Sequence, residues 1–316
     1  MKAVCAKTNV TDLVVLHEVT LITESNMDLS IIIVNYKTET VTLKCLKSVF
    51  DADYQNYTVE VIVVDNASGD GSAEAIKSAY PQINLIINDA NLGFSKANNI
   101  GIRAAKGDYV LLLNSDTKVR SDTISRCLDY IKRHPDIGAL GCKVLLSDGT
   151  LDPACKRSFP TPLSGVFHTL KLDKKFPNSK VFGAYDLTYL DENKIYSLHC
   201  ITGAFMMVPM NVIKAVGMLD EDYFMYGEDI DWCYRIKQAG YKVVYYPKAE
   251  ITHYKRVSGF GKRNPKVVAA FYDAMTIFYD KHYRKKYSPL TRGAMNFGTK
   301  ILKARALKKN AKAEEV

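Results

Sequence analysis

Acidic residues stand at three points of this 316-residue chain where carboxylate chemistry is possible. Asp65 and Asp116 each follow a short apolar run, and residues 228–231 (Glu-Asp-Ile-Asp) open an amphipathic stretch. Such a carboxylate can hold Mg²⁺ or Mn²⁺ through one or two oxygens while a substrate phosphate supplies others. A carboxylate partly enclosed beside Phe224, Met225 and Tyr226 can act as a general base. Asp65 and Asp116 could instead be ordinary turn or helix-cap residues. The acids at 228–231 could instead stabilise a helix N-terminus, with an i, i+4 ion pair between Asp231 and Arg235.

Neither of two common phosphate-binding loops occurs in the chain. The first apolar run continues into Val34-Asn35-Tyr36-Lys37 rather than into G-x-G-x-x-G, and no G-x-x-x-x-G-K-[ST] is present. Dinucleotide and P-loop binding through backbone cradles are therefore disfavoured. A divalent cation at Asp116 that bridges to a phosphate is the better hypothesis.

The elements that must position these acids alternate along the first half of the chain. Apolar runs at 29–34, 59–64, 83–87 and 109–113 are separated by amphipathic stretches, which predicts βαβ units and a parallel sheet. Ligands of such sheets bind outside the carboxyl ends of the strands. Asn35, Asp65 and residues 114–116 stand at those ends, so we expect them to meet at one edge.

The second half of the chain is less regular. The pattern predicts a helix at about 121–133, a strand at 137–146 and a hairpin turn at Asp148-Gly149, followed by an irregular stretch over 153–195. The pattern further predicts helices at 209–216, 229–239 and 265–283 and a strand at 242–246.

Charge and composition narrow the classes of partner. Eleven of the 43 lysines and arginines lie between Lys281 and Lys312 with no acid among them, and the rest nearly balance the 34 acidic residues. This basic tail is either a solvated extension or a contact to anionic lipid. No nucleic-acid motif accompanies it, so we expect no nucleic-acid partner. Seven widely spaced cysteines, no long apolar run and no signal-peptide layout favour a cytoplasmic protein.

A set of ordered motifs resembles the family 2 glycosyltransferases, and in particular their bacterial rhamnosyltransferase-like branch. The first motifs are Val34-Asn35-Tyr36, residues 64–72 (VDNASGDGS), residues 91–101 (NLGFSKANNIG) and residues 113–116 (LNSD). The match continues through residues 201–205, residues 227–231 and the segment around His253. In all, the resemblance spans about residues 29–285.

The resemblance implies an α/β GT-A fold: a Rossmann-like, mostly parallel sheet flanked by helices, here with a C-terminal helical basic extension. Residues 1–26 would be an N-terminal arm or an extended start. Residues 27–147 would form the nucleotide-sugar-binding half and residues 148–263 the half that binds the acceptor and carries the catalytic base. Residues 264–316 would form an amphipathic helix and basic tail.

The resemblance also implies roles for individual residues. Asp229 matches the catalytic base, and Asp116 with His253 matches a site for Mg²⁺ or Mn²⁺, although Asn114 replaces the first acid of the family's D-x-D motif. The predicted donor-binding residues are Asn35, Tyr36, Asp65, Asn66, Gly93, Lys96, Asn99, Ser115, Asp116 and Lys255. The residues predicted to bind the acceptor or orient the base are Glu228, Asp231, Trp232, Arg235, Thr202 and Gly203, with Trp232 stacking on a sugar.

The implied reaction is inverting transfer of a sugar from a nucleoside diphosphate donor. The resemblance favours dTDP-rhamnose as donor, with UDP-linked GlcNAc, galactose or glucose as alternatives. The acceptor would be a saccharide or a polyprenyl-linked sugar in cell-wall or surface-polysaccharide synthesis, reached from the inner face of the cell membrane. A metal-dependent nucleotidyltransferase and a non-catalytic sugar-nucleotide-binding subunit are the alternatives from other classes.

Overall fold

The computed structural model describes residues 27–255 and 264–312. The predicted N-terminal arm at residues 1–26 lies outside the described residues, as do the last eight positions of the predicted 148–263 half. No helix within the described ranges combines the length and the apolar character needed to cross a membrane.

The first half folds as the alternating pattern predicts. Its central strands are apolar and buried on both faces, which is typical of parallel strands covered by helices, whereas the edge strand β3 is half exposed. The strands are β1 Leu29–Asn35, β2 Val59–Asp65, β3 Asn84–Ile87 and β4 Tyr109–Asn114, and they pair in parallel in the order β3-β2-β1-β4. The helices between them are α1 Glu39–Phe50, α2 Ser72–Ala79 and α3 Phe94–Ala104.

The second half adds five strands, seven helices and one 3₁₀ turn within the described residues. The strands are β5 Thr117–Val119, β6 Ile137–Leu146, β7 Tyr196–Leu198, β8 Phe205–Pro209 and β9 Lys242–His253. The helices are α4 Thr123–Lys132, α5 Pro162–Thr169, α6 Leu172–Lys175, α7 Met210–Val216, α8 Glu228–Gln238, α9 Pro265–His282 and α10 Pro289–Lys312, with the 3₁₀ turn at Pro153–Cys155.

The nine strands form one mixed sheet in the order β3-β2-β1-β4-β8-β6-β9-β5, with β7 on β9. β8 pairs antiparallel with β4 and β6, and β9 pairs parallel with β6 but antiparallel with β5 and β7. The α/β class with helices on the sheet is confirmed, and the parallel part is confined mainly to the first half.

Strand β9 is longer than its sequence pattern indicates. Its pairing with β6 shifts register between Cys142 and Lys143, so that residues 247–249 of β9 have no partner on β6. This irregularity accommodates Pro247, which cannot donate to a ladder. The strand then resumes and ends at His253, opposite Thr117 of β5. The bulge therefore carries His253 to the edge where β4 ends.

The core lies on both faces of the sheet. Alternate residues of β1 point to opposite sides: Ile31 and Ile33 join the cluster that includes α1, α2 and α4, and Ile32 joins the one that includes α3, α7, α8 and α9. Helix α8, which carries the predicted base, is thus anchored by its apolar face. Helix α10 follows α9, and Lys303 pairs with Asp273 across the two.

Candidate active site

Asp116 and His253 meet at the carboxyl end of the sheet. Nε2 of His253 lies 3.1 Å from Oδ1 of Asp116 and 3.4 Å from Nδ2 of Asn114. Both predicted metal ligands are largely buried, with 7% and 6% of their surfaces exposed. Oδ1 of Asn114 is buried without a hydrogen-bond partner in the described part of the chain. The side chains of Asn114, Asp116 and His253, all of a type that can ligate a metal ion, therefore meet here at the ends of β4 and β9.

Asp152 lies on the other side of His253. Its Oδ2 is 3.5 Å from Nδ1 of His253, and its Oδ1 is 2.7 Å from Nζ of Lys255. Burial disfavours the charged form of Asp152, but the contacts with His253 and Lys255 outweigh it and lower its pKa to about 2. Burial likewise opposes protonation of His253, yet its two carboxylate neighbours raise its pKa. A histidine held this way by a carboxylate matches the outer support of metal-ligating imidazoles.

These residues fit a lean divalent-cation site. Within residues 27–255 and 264–312, no group of three or more His, Cys, Asp or Glu side chains is arranged to hold a metal ion. Mg²⁺ and Mn²⁺ that bridge substrate phosphates need only one or two protein ligands, since the phosphates and water complete the shell. Asp116 and His253, with the unpartnered oxygen of Asn114 beside them, meet that lower requirement.

Asp229 lies in the first turn of α8, beside an arginine. Oδ2 of Asp229 accepts a hydrogen bond from Nη2 of Arg157 at 2.5 Å and one from the backbone N–H of Gly203 at 3.3 Å. Its Oδ1 accepts from the N–H of Ile230 at 2.8 Å. The chain enters α8 through Gly227, whose φ of +82° is reserved largely for glycine. The carboxylate is thus fixed by an ion pair and two amides.

Glu228 precedes the base and is buried, with Oε2 unpartnered among the described residues. Burial and the neighbouring charge of Asp229 raise the pKa of Glu228 to about 8. A groove of about 390 Å³ opens between residues 222–225, which lead into this turn, and helix α9. Burial and the charge of Asp229 thus both favour the protonated form of Glu228. Its role toward an acceptor stays a prediction.

One backbone segment joins the metal side of the site to the base side. The N–H of Asn114 donates to the carbonyl of Ala204 at 3.0 Å, and the next residue back, Gly203, donates to Asp229. Oγ1 of Thr202 accepts from the N–H of Ala204. Residues 202–204 therefore set the spacing between Asp116 and Asp229, and the predicted pair Thr202 and Gly203 lies beside the base.

The predicted nucleoside contacts Asn35, Asp65 and Asn66 form an internal hydrogen-bond network. Nδ2 of Asn35 donates to Oδ1 of Asp65 at 2.6 Å, and its Oδ1 accepts from Thr38 and Thr42. The side chain of Asn66 holds residues 88–93. The side-chain polar atoms of Asn35 and Asn66 are therefore already paired within the protein, and contact of these two residues with the donor stays a prediction. Contact with Asp65, which is 1% exposed, stays a prediction.

Gly93 and Asn99 hold the loop before α8 in place, and their contact with the donor stays a prediction. A Cβ on Gly93 would lie 2.4 Å from the carbonyl oxygen of Phe224, so this glycine gives close packing to the loop before α8 rather than space for a ligand. Asn99 is 1% exposed and bonds the backbone of Leu219 and the side chain of Glu221. Both residues fix the 219–226 loop against α3.

Asp231, Trp232 and Arg235 face the core and brace α8. Trp232 is fully buried and its indole N–H donates to the carbonyl of Gly217, so the predicted stacking on a sugar was wrong. Asp231, with no exposed surface, pairs with Arg235 and with His282 of α9 at 2.7 and 2.6 Å. Arg235 also donates to two carbonyls of residues 216–218. Asp231 and Arg235 thus brace the helix that carries Asp229, and their predicted role in orienting the base or binding the acceptor stays a prediction.

The remaining predicted donor residues lie at the rim. Tyr36 is half-buried and Lys96 is exposed. The hydroxyl of Ser115 lies 3.4 Å from that of Thr38. Lys255, although partly exposed, forms its ion pair with Asp152. Donor contact by these four residues stays a prediction.

Sequence reasoning missed Arg157 and Asp152. Both lie in or next to the stretch 153–195, which has no period that indicates a helix or strand. Arg157 pairs with a residue 72 positions away. The one available signal was chemical: a buried catalytic carboxylate needs a cationic or hydrogen-bonding partner. The basic residues of Lys156-Arg157 are candidates for that partner.

Comparisons with known proteins agree with this geometry. The family model described as Glycosyl transferase family 2 matches residues 30–192. The chain is 32% identical over 236 residues to an N-acetylglucosaminyl-diphospho-decaprenol L-rhamnosyltransferase of Mycobacterium tuberculosis, covering 71% of this chain and 76% of the relative. It is 28% identical to the rhamnosyltransferase WbbL of Escherichia coli K12, covering 71% and 82%.

Solved structures support the fold alone. The mannosyltransferase PcManGT of Pyrobaculum calidifontis, in complex with GDP-Man and Mn²⁺, superposes with a TM-score of 0.59 at 17% identity, covering 92% of this chain and 74% of that one. GalNAc-T7 with UDP, GalNAc and Mn²⁺ gives a TM-score of 0.57 at 16% identity, covering 86% and 55%. The expected GT-A fold is confirmed. The chain belongs to glycosyl transferase family 2 and is a glycosyltransferase.

Proposed function

We propose that this glycosyltransferase moves a sugar from a nucleoside diphosphate donor to an acceptor hydroxyl with inversion, in the synthesis of a cell-wall or surface polysaccharide. The observation that carries the proposal is the 202–204 bridge, which ties Asn114 on the metal side to Asp229 on the base side. A transferase of this kind needs both functions at a fixed separation.

In the proposed reaction Asp229 acts as the general base. Oδ2 accepts from both Arg157 and Gly203, whereas Oδ1 accepts only from the N–H of Ile230, so Oδ1 would use its remaining lone pair to take the proton from the acceptor hydroxyl. The acceptor oxygen attacks the anomeric carbon, the bond to the diphosphate oxygen breaks, and the electron pair leaves with the diphosphate. A single displacement inverts the anomeric centre. A positioned base contributes about 10²–10⁴-fold in rate.

Asp116 and His253, supported by Asp152, would hold the divalent cation. When bound, Mg²⁺ or Mn²⁺ acts as a Lewis acid on the departing diphosphate. The short ligand set makes metal binding dependent on the donor phosphates, so we expect the ion and the nucleoside diphosphate to bind cooperatively.

For the donor we propose dTDP-rhamnose, because two of the relatives are named as L-rhamnosyltransferase and rhamnosyltransferase. For the acceptor we propose a polyprenyl-linked sugar, in line with the decaprenol of the mycobacterial relative's name. UDP-linked sugars are the alternative donors. We also propose that the basic helix α10, with Leu290 and Phe297 exposed, contacts anionic lipid at the cytoplasmic membrane face.

Donor hydrolysis is the direct test. Purified protein is incubated with Mn²⁺ and dTDP-rhamnose or UDP-sugars, and products are followed by NMR. Free sugar and nucleoside diphosphate are the expected products, formed fastest from dTDP-rhamnose. Release of pyrophosphate would identify a nucleotidyltransferase instead, and no turnover of any donor with any acceptor would indicate a non-catalytic subunit.

A further inference from the structure

Residues 162–181 carry an unusual density of exposed apolar side chains. On the surface of a soluble protein, large apolar side chains are usually scattered singly. Twelve large apolar side chains are exposed among the described residues, and five of them fall within this 20-residue segment. They are Leu163, Val166, Leu170, Phe176 and Val181, each between 44% and 63% exposed.

The segment is folded, so these side chains are not the exposed remnant of a loose loop. Phe182 packs on Phe167 and Phe176, with ring centroids 5.0 and 5.3 Å apart, and gives the segment a small aromatic core. Ser164 exchanges hydrogen bonds with Thr161 at the start of α5. The exposed leucines and valines therefore project from an ordered support.

The exposed charges of the segment are all positive. The lysines at 171, 174, 175 and 180 are exposed, whereas the single acid of the segment, Asp173, is buried. Nζ of Lys175 lies 5.6 Å from the ring centroid of Phe176. Apolar side chains rimmed by lysines are the composition that inserts into an anionic lipid interface. A neutral or basic protein surface would not complement it.

The chain on either side of the segment is held close to the catalytic base, Asp229. Arg157, the ion-pair partner of Asp229, lies five residues before Pro162. The N–H of the next residue, Ser158, donates to the carbonyl of Tyr185 at 2.7 Å, and Lys156 donates to the carbonyl of Leu187 at 2.7 Å. These bonds join the chain before the segment to the chain after it. The segment is therefore a closed loop that is attached next to Asp229 through Arg157.

We propose that residues 162–181 are a membrane-contact element that places Leu163, Val166, Leu170 and Phe176 in the headgroup region of an anionic bilayer. The contact holds Asp229 close to the plane where the sugar of a lipid-linked acceptor lies. Only this last consequence rests on the proposed function. The element is separate in sequence from the basic helix α10.

Tryptophan reporters test which element inserts. The chain has a single tryptophan, Trp232, which is fully buried and gives a constant background. Phe176→Trp and Phe297→Trp are made separately in the full-length protein and mixed with vesicles of equal parts phosphatidylcholine and phosphatidylglycerol. We expect a blue shift and quenching by brominated lipid for Phe176→Trp. An unchanged spectrum overturns the proposal, whatever the Phe297→Trp reporter does.

Flotation with the same vesicles measures the contribution to binding. Leu163→Ser with Leu170→Ser should weaken vesicle binding about tenfold or more, because two apolar side chains lose their lipid burial. Lys174→Glu with Lys175→Glu should weaken it on anionic vesicles only. Ile87→Ser is the matched control, since Ile87, at 58%, is about as exposed as Leu163, at 59%, and lies outside the segment. Binding of both double variants equal to that of the wild type contradicts the proposal.

Two readouts separate this proposal from the proposed function. Donor hydrolysis without vesicles should be unchanged in the double variants. A wild type that hydrolyses no donor but still binds vesicles leaves the membrane element standing and removes the proposed donor and reaction. A dimer in sedimentation velocity that the Leu163→Ser, Leu170→Ser variant dissociates would overturn the lipid proposal in favour of a second copy.

Discussion

Arg157 and Asp229 form an ion pair 2.5 Å long in which both side chains are almost entirely shielded from solvent. Removing one partner of such a pair leaves the other charge uncompensated, which typically costs about 3–5 kcal/mol. Arg157 does not touch the reacting atoms in our mechanism. It is a positioning residue that orients the base.

We expect Arg157→Gln to lower kcat by about 10–100-fold, a part of the contribution of a positioned base. The donor KM should change little, because Arg157 contacts Asp229 and not the metal side. Arg157→Lys should recover part of the rate. Steady-state kinetics check the split, with Arg120→Gln as control because Arg120 forms an exposed ion pair with Glu250. A rise in donor KM at constant kcat would exclude a positioning role.

Glu228 should make stability fall as pH rises. Burial and Asp229 raise its pKa from 4.5 to about 8, so the folded state holds a proton that the unfolded chain releases. The stability that this proton contributes is complete below about pH 4.5 and is lost as pH rises through about 8. Glu228→Gln should remove this slope.

Urea unfolding of the metal-free protein at pH 5 and pH 8 measures the effect. The free energy of unfolding of the wild type should fall relative to that of Glu228→Gln between these values, by up to a few kcal/mol. Glu74→Gln, on the exposed face of α2, is the control. Parallel pH dependence of wild type and Glu228→Gln would show that Glu228 ionises normally.

The parallel half of the sheet was predictable from sequence, and much of the site was not. Runs such as Ile31-Ile32-Ile33-Val34 admit only a strand buried on both faces, so β1 and its neighbours followed directly. The first turn of α8 was predictable from its acidic residues. The sequence did not show which of these acids face inward. Asp229 and Asp231 differ only in their place on the helix and in their distant partners, Arg157 and His282.

The correction at Trp232 has the same cause. A tryptophan beside catalytic acids can stack on a sugar or fill the core, and its sequence neighbours do not decide between the two. Packing of α8 against α7 and α9 turns it inward. Likewise the sequence does not show that the hydroxyls of Thr38 and Thr42 donate to the side-chain oxygen of Asn35, because that contact depends on how α1 packs beside the end of β1.

Asp116→Ala should weaken Mn²⁺-dependent binding of dTDP or UDP by more than the roughly 10–100-fold typical of changes outside the first coordination sphere. The reason is that Asp116 is the carboxylate closest to His253 at the end of β4. Titration calorimetry with and without Mn²⁺ measures the effect. Asp122→Ala, which removes an exposed i, i+4 partner of Arg126, is the control. Unchanged metal dependence would remove Asp116 from the metal site.

Asp152→Asn should lower Mn²⁺ affinity by about 10–100-fold without removing a ligand. Asp152 supports His253 from the side away from Asp116, so its loss frees the imidazole to reorient. Electron paramagnetic resonance of free Mn²⁺ in the presence of dTDP or UDP measures the affinity. Asp148→Asn, in an exposed turn four residues earlier, should bind as the wild type does. Equal affinities for both variants would make Asp152 a purely structural acid.

The central claim, that Asp229 is the base, is tested most directly by Asp229→Asn. The variant keeps the shape of the side chain and its contact with Gly203 but cannot accept the proton. We expect transfer to fall by about 10²–10⁴-fold, while the dissociation constant of the nucleoside diphosphate in the presence of Mn²⁺ stays within about twofold of the wild-type value, a free-energy change well below 1.4 kcal/mol. Transfer within a few fold of the wild-type rate, at unchanged donor binding, would contradict the account.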